Sequence, residues 1–375
     1  MDNILFIGHH LVVRNYQELI DEVAIQLRGK NHVYLITPKY YKEKVLTQAG
    51  NFGSGNFSHI KLSTVLSKQG RQHAHFYIGL NRHIKKIKPK LIYCMEEPNS
   101  VVSAQVCYYA KKNRIKVVLW SALNQFRNYR HYKYIDPRRY IFTACLNYTF
   151  KNSLAINALD NSVAKVLLEK GYTGRIFINN TFGVNKSFFT KPKLVKDKCL
   201  KIIYVGVLEN YKGVNFLISA IKGENVRLDI IGDGTQRKKL ELLAKGKNIG
   251  FHGFQDQSYI ENIMRSSDVL ILPSVPVDGY LEQFGRVLIE AMASGCCVAG
   301  SSIGGIPAVI AENGFLFEHS NVTAIEDIIN ELKSDSEKLF LYKDKGYKYA
   351  LDTYSYNSVA KRIVEQMEIM LNECN

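Results

Sequence analysis

The chain has 375 residues, 46% of them hydrophobic and 22% charged, ample for two cores of ordinary size. That composition excludes a disordered or fibrous chain, and no apolar run approaches the roughly 18–20 residues of a membrane span. Fifty Lys and Arg against 34 Asp and Glu give a formal charge of +16. The excess is one-sided: residues 1–190 hold 28 basic and 10 acidic side chains, residues 191–375 hold 22 and 24. Such asymmetry points to a polyanionic partner or an anionic membrane surface for the first half, against the plainer reading of a solvated basic face. The seven cysteines, at 94, 107, 145, 199, 296, 297 and 374, form no C-x-x-C pair. They suit a reducing cytoplasm rather than a zinc site or a disulfide framework. Because the chain begins almost directly with a strand, no signal peptide is expected.

In chain order, short apolar strands alternate with amphipathic helices, the pattern of a parallel α/β architecture. Strands are predicted at 4–8, 32–37, 91–95 and 117–120, with helices near 14–28, 72–87, 100–113 and 138–150. KPKLVKDK (191–198) reads as a hinge linker. A second series follows, with strands at 201–207, 226–232, 249–251, 269–273 and 297–301 and helices near 213–222, 235–245 and 284–294. The apolar period of residues 358–371 predicts a terminal helix. Neither Gly8 nor Gly232 opens a G-x-G-x-x-G turn, and no P-loop occurs, so dinucleotide and kinase readings fall away.

The most informative segment is EQFGRVLIE, bracketed by Glu282 and Glu290. Glu282 closes a loop after an apolar strand. Glu290 lies about a turn inside the helix that Phe284 and Gly285 open. Backbone N–H groups at a helix start receive anions, and flanking carboxylates accept hydrogen bonds from vicinal hydroxyls. Ile289, Ala291 and Met292 beside Glu290 predict a largely buried helix, where an unpaired carboxylate is costly.

YVGVLENYKGV (204–214), IIGDG (230–234), FHGF (251–254), SSDVLILPS (266–274), EQFGRVLIEAMASGCCVAGS (282–301) and GGIP (304–307) together resemble the retaining glycosyltransferases of family 4. E-x7-E alone is a weak pattern, whereas the whole set in this order is a specific one. The resemblance implies a GT-B fold: two Rossmann-like domains with parallel sheets facing a cleft. Residues 1–190 would form the acceptor-binding domain and 195–355 the nucleotide-sugar domain, with a C-terminal helix of about 356–375 packing back on the first.

By the same resemblance, Glu290 holds ribose hydroxyls, while Glu282 and the Gln283–Phe284–Gly285 backbone engage the donor sugar. Lys212 clamps the diphosphate. The family's usual Arg after its strand glycine is replaced here by Val207, and Arg286 is the candidate to supply that charge, a salt bridge with a nearby acid being the alternative. Gly8 matches the turn that approaches the leaving diphosphate. Phe254 matches a nucleobase-facing position, with a core aromatic as the competing reading.

In the first half, CMEEPNS (94–100) and LWSALNQFRNY (119–129) resemble acceptor loops of one subset. They offer Glu97, Asn124 and Arg127 as acceptor contacts, with Asn124 joining Glu282 and Lys212 in the reacting set. His9 and His10 are alternatives for polar contact. FRNYRHYKYIDPRRY (126–140) and HIKKIKPK (83–90) interleave cations with aromatics or apolar residues, as an anionic membrane interface requires.

The implied reaction moves a sugar from a UDP- or GDP-linked donor to a lipid-linked or cell-surface glycan, by front-face substitution with retention. It uses neither a metal nor a further cofactor, at the inner face of the cell membrane. A transferase acting on DNA, or a non-catalytic binding protein of this fold, is the less favoured reading.

Overall fold

The computed structural model describes residues 2–42, 46–69, 71, 73–123, 136–194, 199–277 and 281–372. They divide into two compact units, residues 1–183 with 356–375, and residues 184–355.

The first unit is built on seven parallel strands: β1 (Asp2–Ile7), β2 (Asn31–Pro38), β3 (Phe57–Leu62), β4 (Leu91–Cys94), β5 (Lys116–Ser121), β6 (Ala155–Ala158) and β7 (Arg175–Ile178). Their order is β7-β6-β5-β4-β1-β2-β3. Strands buried on both faces read as continuous apolar runs, and β1 shows why. Ile4 and Phe6 enter the core on one side of the sheet, Leu5 and Ile7 the core on the other.

Five helices connect these strands: α1 (Arg14–Gln26), α2 (Leu80–Ile87), α3 (Val101–Lys112), α4 (Pro137–Asn152) and α5 (Asn161–Glu169). Side-chain caps set several of their starts. Ser100 accepts from Ser103 N at 3.1 Å, and Asp160 from Val163 N at 3.0 Å. The terminal helix (Tyr356–Asn372) lays Val359, Ile363, Met367 and Met370 against Leu19, Ile20 and Val23 of α1. It shares with α1 the covering of that face of the sheet.

The predicted helix at 72–87 is too long. Phe76–Tyr77 pairs antiparallel with Thr64–Val65, and Gly79, in the left-handed region at φ 76°, begins the helix only at Leu80. The aromatic pair satisfied a helical spacing, but its backbone hydrogen bonds go to a neighbouring strand. Strands β3, β6 and β7 and helix α5 had no counterpart in the sequence reading.

The second unit holds six parallel strands: β8 (Leu200–Val205), β9 (Val226–Ile231), β10 (Ile249–Gly253), β11 (Val269–Leu272), β12 (Cys297–Ser301) and β13 (Phe315–Phe317), in the order β10-β9-β8-β11-β12-β13. Its helices are α6 (Val214–Ala220), α7 (Arg237–Leu243), α8 (Gln257–Ser266), α9 (Arg286–Ala293), α10 (Ile306–Ile310), α11 (Val322–Ser334) and α12 (Ser336–Tyr354). The stretch before β8 belongs to this unit: Val184 N donates to Tyr354 O at 2.8 Å, and Thr190 N to Ala293 O at 3.0 Å. Of the expected linker, residues 195–198 lie outside the described residues.

One buried ion pair ties α12 to the sheet. Lys343 Nζ donates to Asp268 Oδ1 at 2.6 Å, and Lys201 N donates to Asp268 Oδ2 at 3.0 Å. The two side chains are 8% and 14% exposed. Removing one partner of such a pair strands the other charge away from water. Lys343→Met should therefore cost about 3 kcal/mol of unfolding free energy, read by urea titration; a loss under about 1 kcal/mol would show that water reaches Asp268.

Candidate active site

The residues singled out in the second unit converge at the C-terminal ends of β8, β11 and β12. In open parallel sheets that edge is where ligands bind, because the strands deliver their connecting loops there. The order β9-β8-β11-β12 places the reversal of strand order between β8 and β11. Lys212 follows β8, and Glu282 follows β11.

Lys212 ends a short turn, Asn210–Lys212, and Gly213 follows at φ 62°. A Cβ on Gly213 would stand 2.0 Å from the carbonyl oxygen of Pro273, so only glycine admits this approach. Val275 N donates to Tyr211 O at 2.9 Å and joins the same two loops. The result brings the Lys212 ammonium onto the Glu282 carboxylate, which also accepts from Ser274 Oγ at 3.3 Å. Ser274 is itself located by Ser301 Oγ, which donates to its carbonyl at 2.6 Å.

The acidic loop is held from behind by the GG-x-P motif. Gly305 N donates to Glu282 O at 2.8 Å. A Cβ on Gly304 (φ 53°) would lie 2.1 Å from the Glu282 carbonyl oxygen, and one on Gly305 2.2 Å from that of Gln283. The two glycines thus permit a backbone-to-backbone contact that fixes where Glu282, Gln283 and Phe284 sit. Gln283 is exposed and Phe284 is buried, 6.0 Å from the ring of Tyr354.

Gly285, at φ 77°, leads into α9. Arg286 is the first helical residue, and its Nε donates to Glu290 Oε1 at 2.9 Å across one turn. The salt-bridge alternative for Arg286 is therefore realised here. Ile289, Ala291 and Met292 are fully buried, as the sequence required. The Glu290 side chain is 17% exposed; burial pushes its pKa above the ordinary carboxylate value, with Arg286 opposing.

Phe254, just past β10, is 87% exposed. That rules out the core-aromatic reading and leaves an apolar ring facing water at the same strand edge. Gly8 follows β1 in the first unit, where an added Cβ would stand 3.0 Å from Met95 O. The close approach there is to the protein's own chain.

Glu97 is engaged internally. Its oxygens accept from Ser121 Oγ and Ala122 N, both at 2.8 Å, which braces the end of β5 and the start of the following loop. Burial raises its pKa to about 7, with these two bonds opposing. Asn124, Arg127 and most of the 126–140 segment lie outside the described residues. Sequence reasoning passed over Ser274 and Glu96; only their positions next to singled-out residues were visible, and no spacing marked them.

Three comparisons with known proteins show what this chain resembles. Residues 185–349, nearly the whole second unit, match the family described as glycosyl transferases group 1. An uncharacterized glycosyltransferase, MJ1607 of Methanocaldococcus jannaschii, is 30% identical over 205 residues, 51% of each chain. The lipopolysaccharide 1,2-N-acetylglucosaminetransferase of Salmonella typhimurium is 28% identical over 44% of this chain and 48% of its own. The chain thus spans about half the length of these curated relatives. Among solved structures, Anabaena Alr3699/HepE in complex with UDP superposes with a TM-score of 0.68 at 16% identity, over 98% of this chain and 100% of that one. The fold is accordingly GT-B, and the second unit resembles glycosyl transferases group 1.

The Glu97 brace has a measurable signature. A carboxyl whose pKa rises on folding contributes stability below its unfolded value, near 4.5, and loses it as pH climbs through about 7. Glutamine can accept from Ala122 N and donate to Ser121 Oγ without carrying charge. Glu97→Gln should melt higher than wild type at pH 8 and gain less at pH 5, in thermal scans across that range. Parallel curves for the two proteins would reject the shift.

Proposed function

We propose that this chain, whose second unit matches glycosyl transferases group 1, transfers a sugar from a nucleoside diphosphate sugar to a glycan or lipid-linked acceptor. One observation carries the reading. Glu282 and Glu290 each sit against a cation, Lys212 and Arg286, around a loop and helix start that two glycines hold in place. A nucleoside diphosphate sugar supplies anions for the cations and vicinal hydroxyls for the carboxylates, so both ion pairs can be exchanged without stranding a charge. Glu290 would take ribose hydroxyls, and Glu282 with the 283–285 backbone the sugar. The exposed Phe254 ring offers a face for the base. A UDP-linked donor is the first to try, since HepE binds UDP; a GDP-linked donor is the alternative.

The reaction proposed is that of the retaining family 4. Carboxylates already gripping hydroxyls are poor nucleophiles for a double displacement. Front-face substitution asks less of the protein: the sugar–phosphate bond breaks, its electron pair leaves with the diphosphate, the acceptor oxygen bonds the anomeric carbon, and its proton passes to the departing phosphate. Lys212 and Arg286 stabilise that departing charge as fixed cations. In the first unit, Glu97, Asn124 and Arg127 are proposed as acceptor contacts, Glu97 being the one among the described residues, where it holds Ser121 and Ala122.

The acceptor class is proposed from surface charge and from the lipopolysaccharide enzyme of Salmonella typhimurium. Between Lys61 and Lys116 the chain holds twelve basic residues and two acids, Glu96 and Glu97. Lys85, Lys88, Lys90, Arg114 and Lys116 line a groove of about 710 Å³ at the N-terminal ends of β4 and β5. Basic side chains near an anionic bilayer contribute about 1 kcal/mol each. This supports peripheral attachment at the cytoplasmic leaflet, with a lipid-linked or cell-surface glycan as acceptor. No helix among the described residues is long and apolar enough to cross a membrane.

A panel of nucleoside diphosphate sugars tests the donor reading, since a ligand at 100 times its Kd stabilises by about 2.7 kcal/mol and raises the melting temperature. Glu290→Ala should lose about 100-fold in transfer, because charge-assisted bonds to two hydroxyls contribute roughly 3 kcal/mol or more. Wild-type turnover by that variant would defeat the assignment. Arg286→Ala should weaken free nucleoside diphosphate about tenfold by calorimetry; unchanged affinity would leave the position of Val207 uncompensated.

A further inference from the structure

Helices very often end on a glycine, because the residue after the last turn takes a left-handed backbone that side chains resist. Helices α2 and α3 end otherwise. Lys88 closes α2 at φ 50°, and Arg114 follows α3 at φ 53°. Only five non-glycine residues among those described have a positive φ, and these two line one groove. It is the cavity of about 710 Å³ at the N-terminal ends of β4 and β5, the far end of the sheet from His9 and Glu97. Backbone strain kept at two neighbouring cations indicates that the charge, and not the turn, is what these positions supply.

The plainer reading is that the cations answer helix carbonyls, since α2, α3 and the terminal helix all end at this groove. That accounts for some of them. Lys116 Nζ donates to Met370 O at 3.0 Å and to Leu371 O at 3.4 Å, and Lys90 Nζ lies 2.9 Å from Asp2 Oδ2. Lys85, Lys88 and Arg114 remain. Among the described residues their side chains make no ion pair and no hydrogen bond. Ile84, Pro89 and Ile115 stand between them, and no acid is among the described residues that line the groove. Three cations around one concavity attract an anion, and the volume suits a single small molecule. A duplex would instead need cations spread along a track.

We propose that this groove binds a compact ligand bearing two or more negative phosphoryl charges. Arg114 grips two of its oxygens as a fork, with Lys85 and Lys88 as point charges beside it. The ligand is either a free polyphosphate or the phosphomonoester headgroup of a lipid. A headgroup source rests on the peripheral attachment proposed for this groove; a free source does not, and neither depends on sugar transfer.

Lysine acetylation read by mass spectrometry tests the site in the full chain, with tripolyphosphate as one titrated probe. Phosphatidylcholine vesicles carrying phosphatidic acid are the other. At least one should shield Lys85 and Lys88, and which of them does so identifies the source. Lys88→Gly with Arg114→Gly, read at Lys85, should weaken binding about 100-fold, about tenfold for each charge-assisted contact. Its melting temperature without ligand should hold or rise, because glycine accepts both backbones without strain. If it falls, Lys85→Gln, which alters no strained backbone, decides: weakening of about tenfold upholds the site and unchanged binding overturns it. Lys151→Gln with Lys165→Gln removes two exposed cations elsewhere on the unit. That pair should weaken binding by no more than about threefold. Arg286→Ala should leave the shielding intact, so the groove and the donor site are read separately. The proposal is overturned if neither probe shields the two lysines, if the glycine pair binds as wild type does, or if the Lys151 and Lys165 pair weakens binding equally. It is also overturned if tripolyphosphate fails while phosphatidylglycerol vesicles shield as well as phosphatidic acid, because attraction would then be diffuse.

Discussion

The contact on which the second unit's site depends is between backbones. Gly304 and Gly305 let the chain after β12 lie against the carbonyls of Glu282 and Gln283 with no side chain between them. That contact decides where the acidic loop stops and therefore where α9 begins. Gly213 does the same for Lys212 by approaching Pro273. Three loops from three strands are thereby fixed at backbone level, which locates a carboxylate and an ammonium more rigidly than side-chain packing alone would.

Charge pairing gives this arrangement its chemical character. Each carboxylate has a cation beside it, so the site pays no standing penalty for an isolated buried charge. It still has to offer both partners to a ligand. Under the proposed function, a ligand of matching polarity, anionic at one end and rich in hydroxyls at the other, would replace both pairs at once. A simple anion or a simple sugar would replace only one half and leave the other charge without its neighbour.

The first unit solves a different problem. Its sheet is apolar on both faces, and the terminal helix returns to cover one of them. Two buried acids stand at its strand ends, where Glu96 grips His9 and Glu97 grips the start of the loop after β5. Adjacent in sequence, the two acids serve two different connections. One fixes the His9 ring just past β1, and the other ties down a neighbouring loop. The basic groove lies at the opposite end of the same strands.

Much of this was legible in the chain. Continuous apolar runs marked β1, β2, β4 and β5 and most of the second sheet, because doubly covered strands need no polar face. E-x7-E with its glycines located the loop and the start of α9, since helix capping and close approach restrict residue type locally. Strands such as β6 and β7 were missed, being four residues long and indistinguishable from loop by period. The 76–77 pairing was missed because both of its strands are two residues long, too short to show a period. Sequence by itself determined residue types, local periods and the uneven charge. Only the tertiary structure decided that Phe254 stays in water, and that Glu96 rather than Glu97 meets His9. Those outcomes depend on which distant backbones come close enough to exclude water, and no local pattern encodes that.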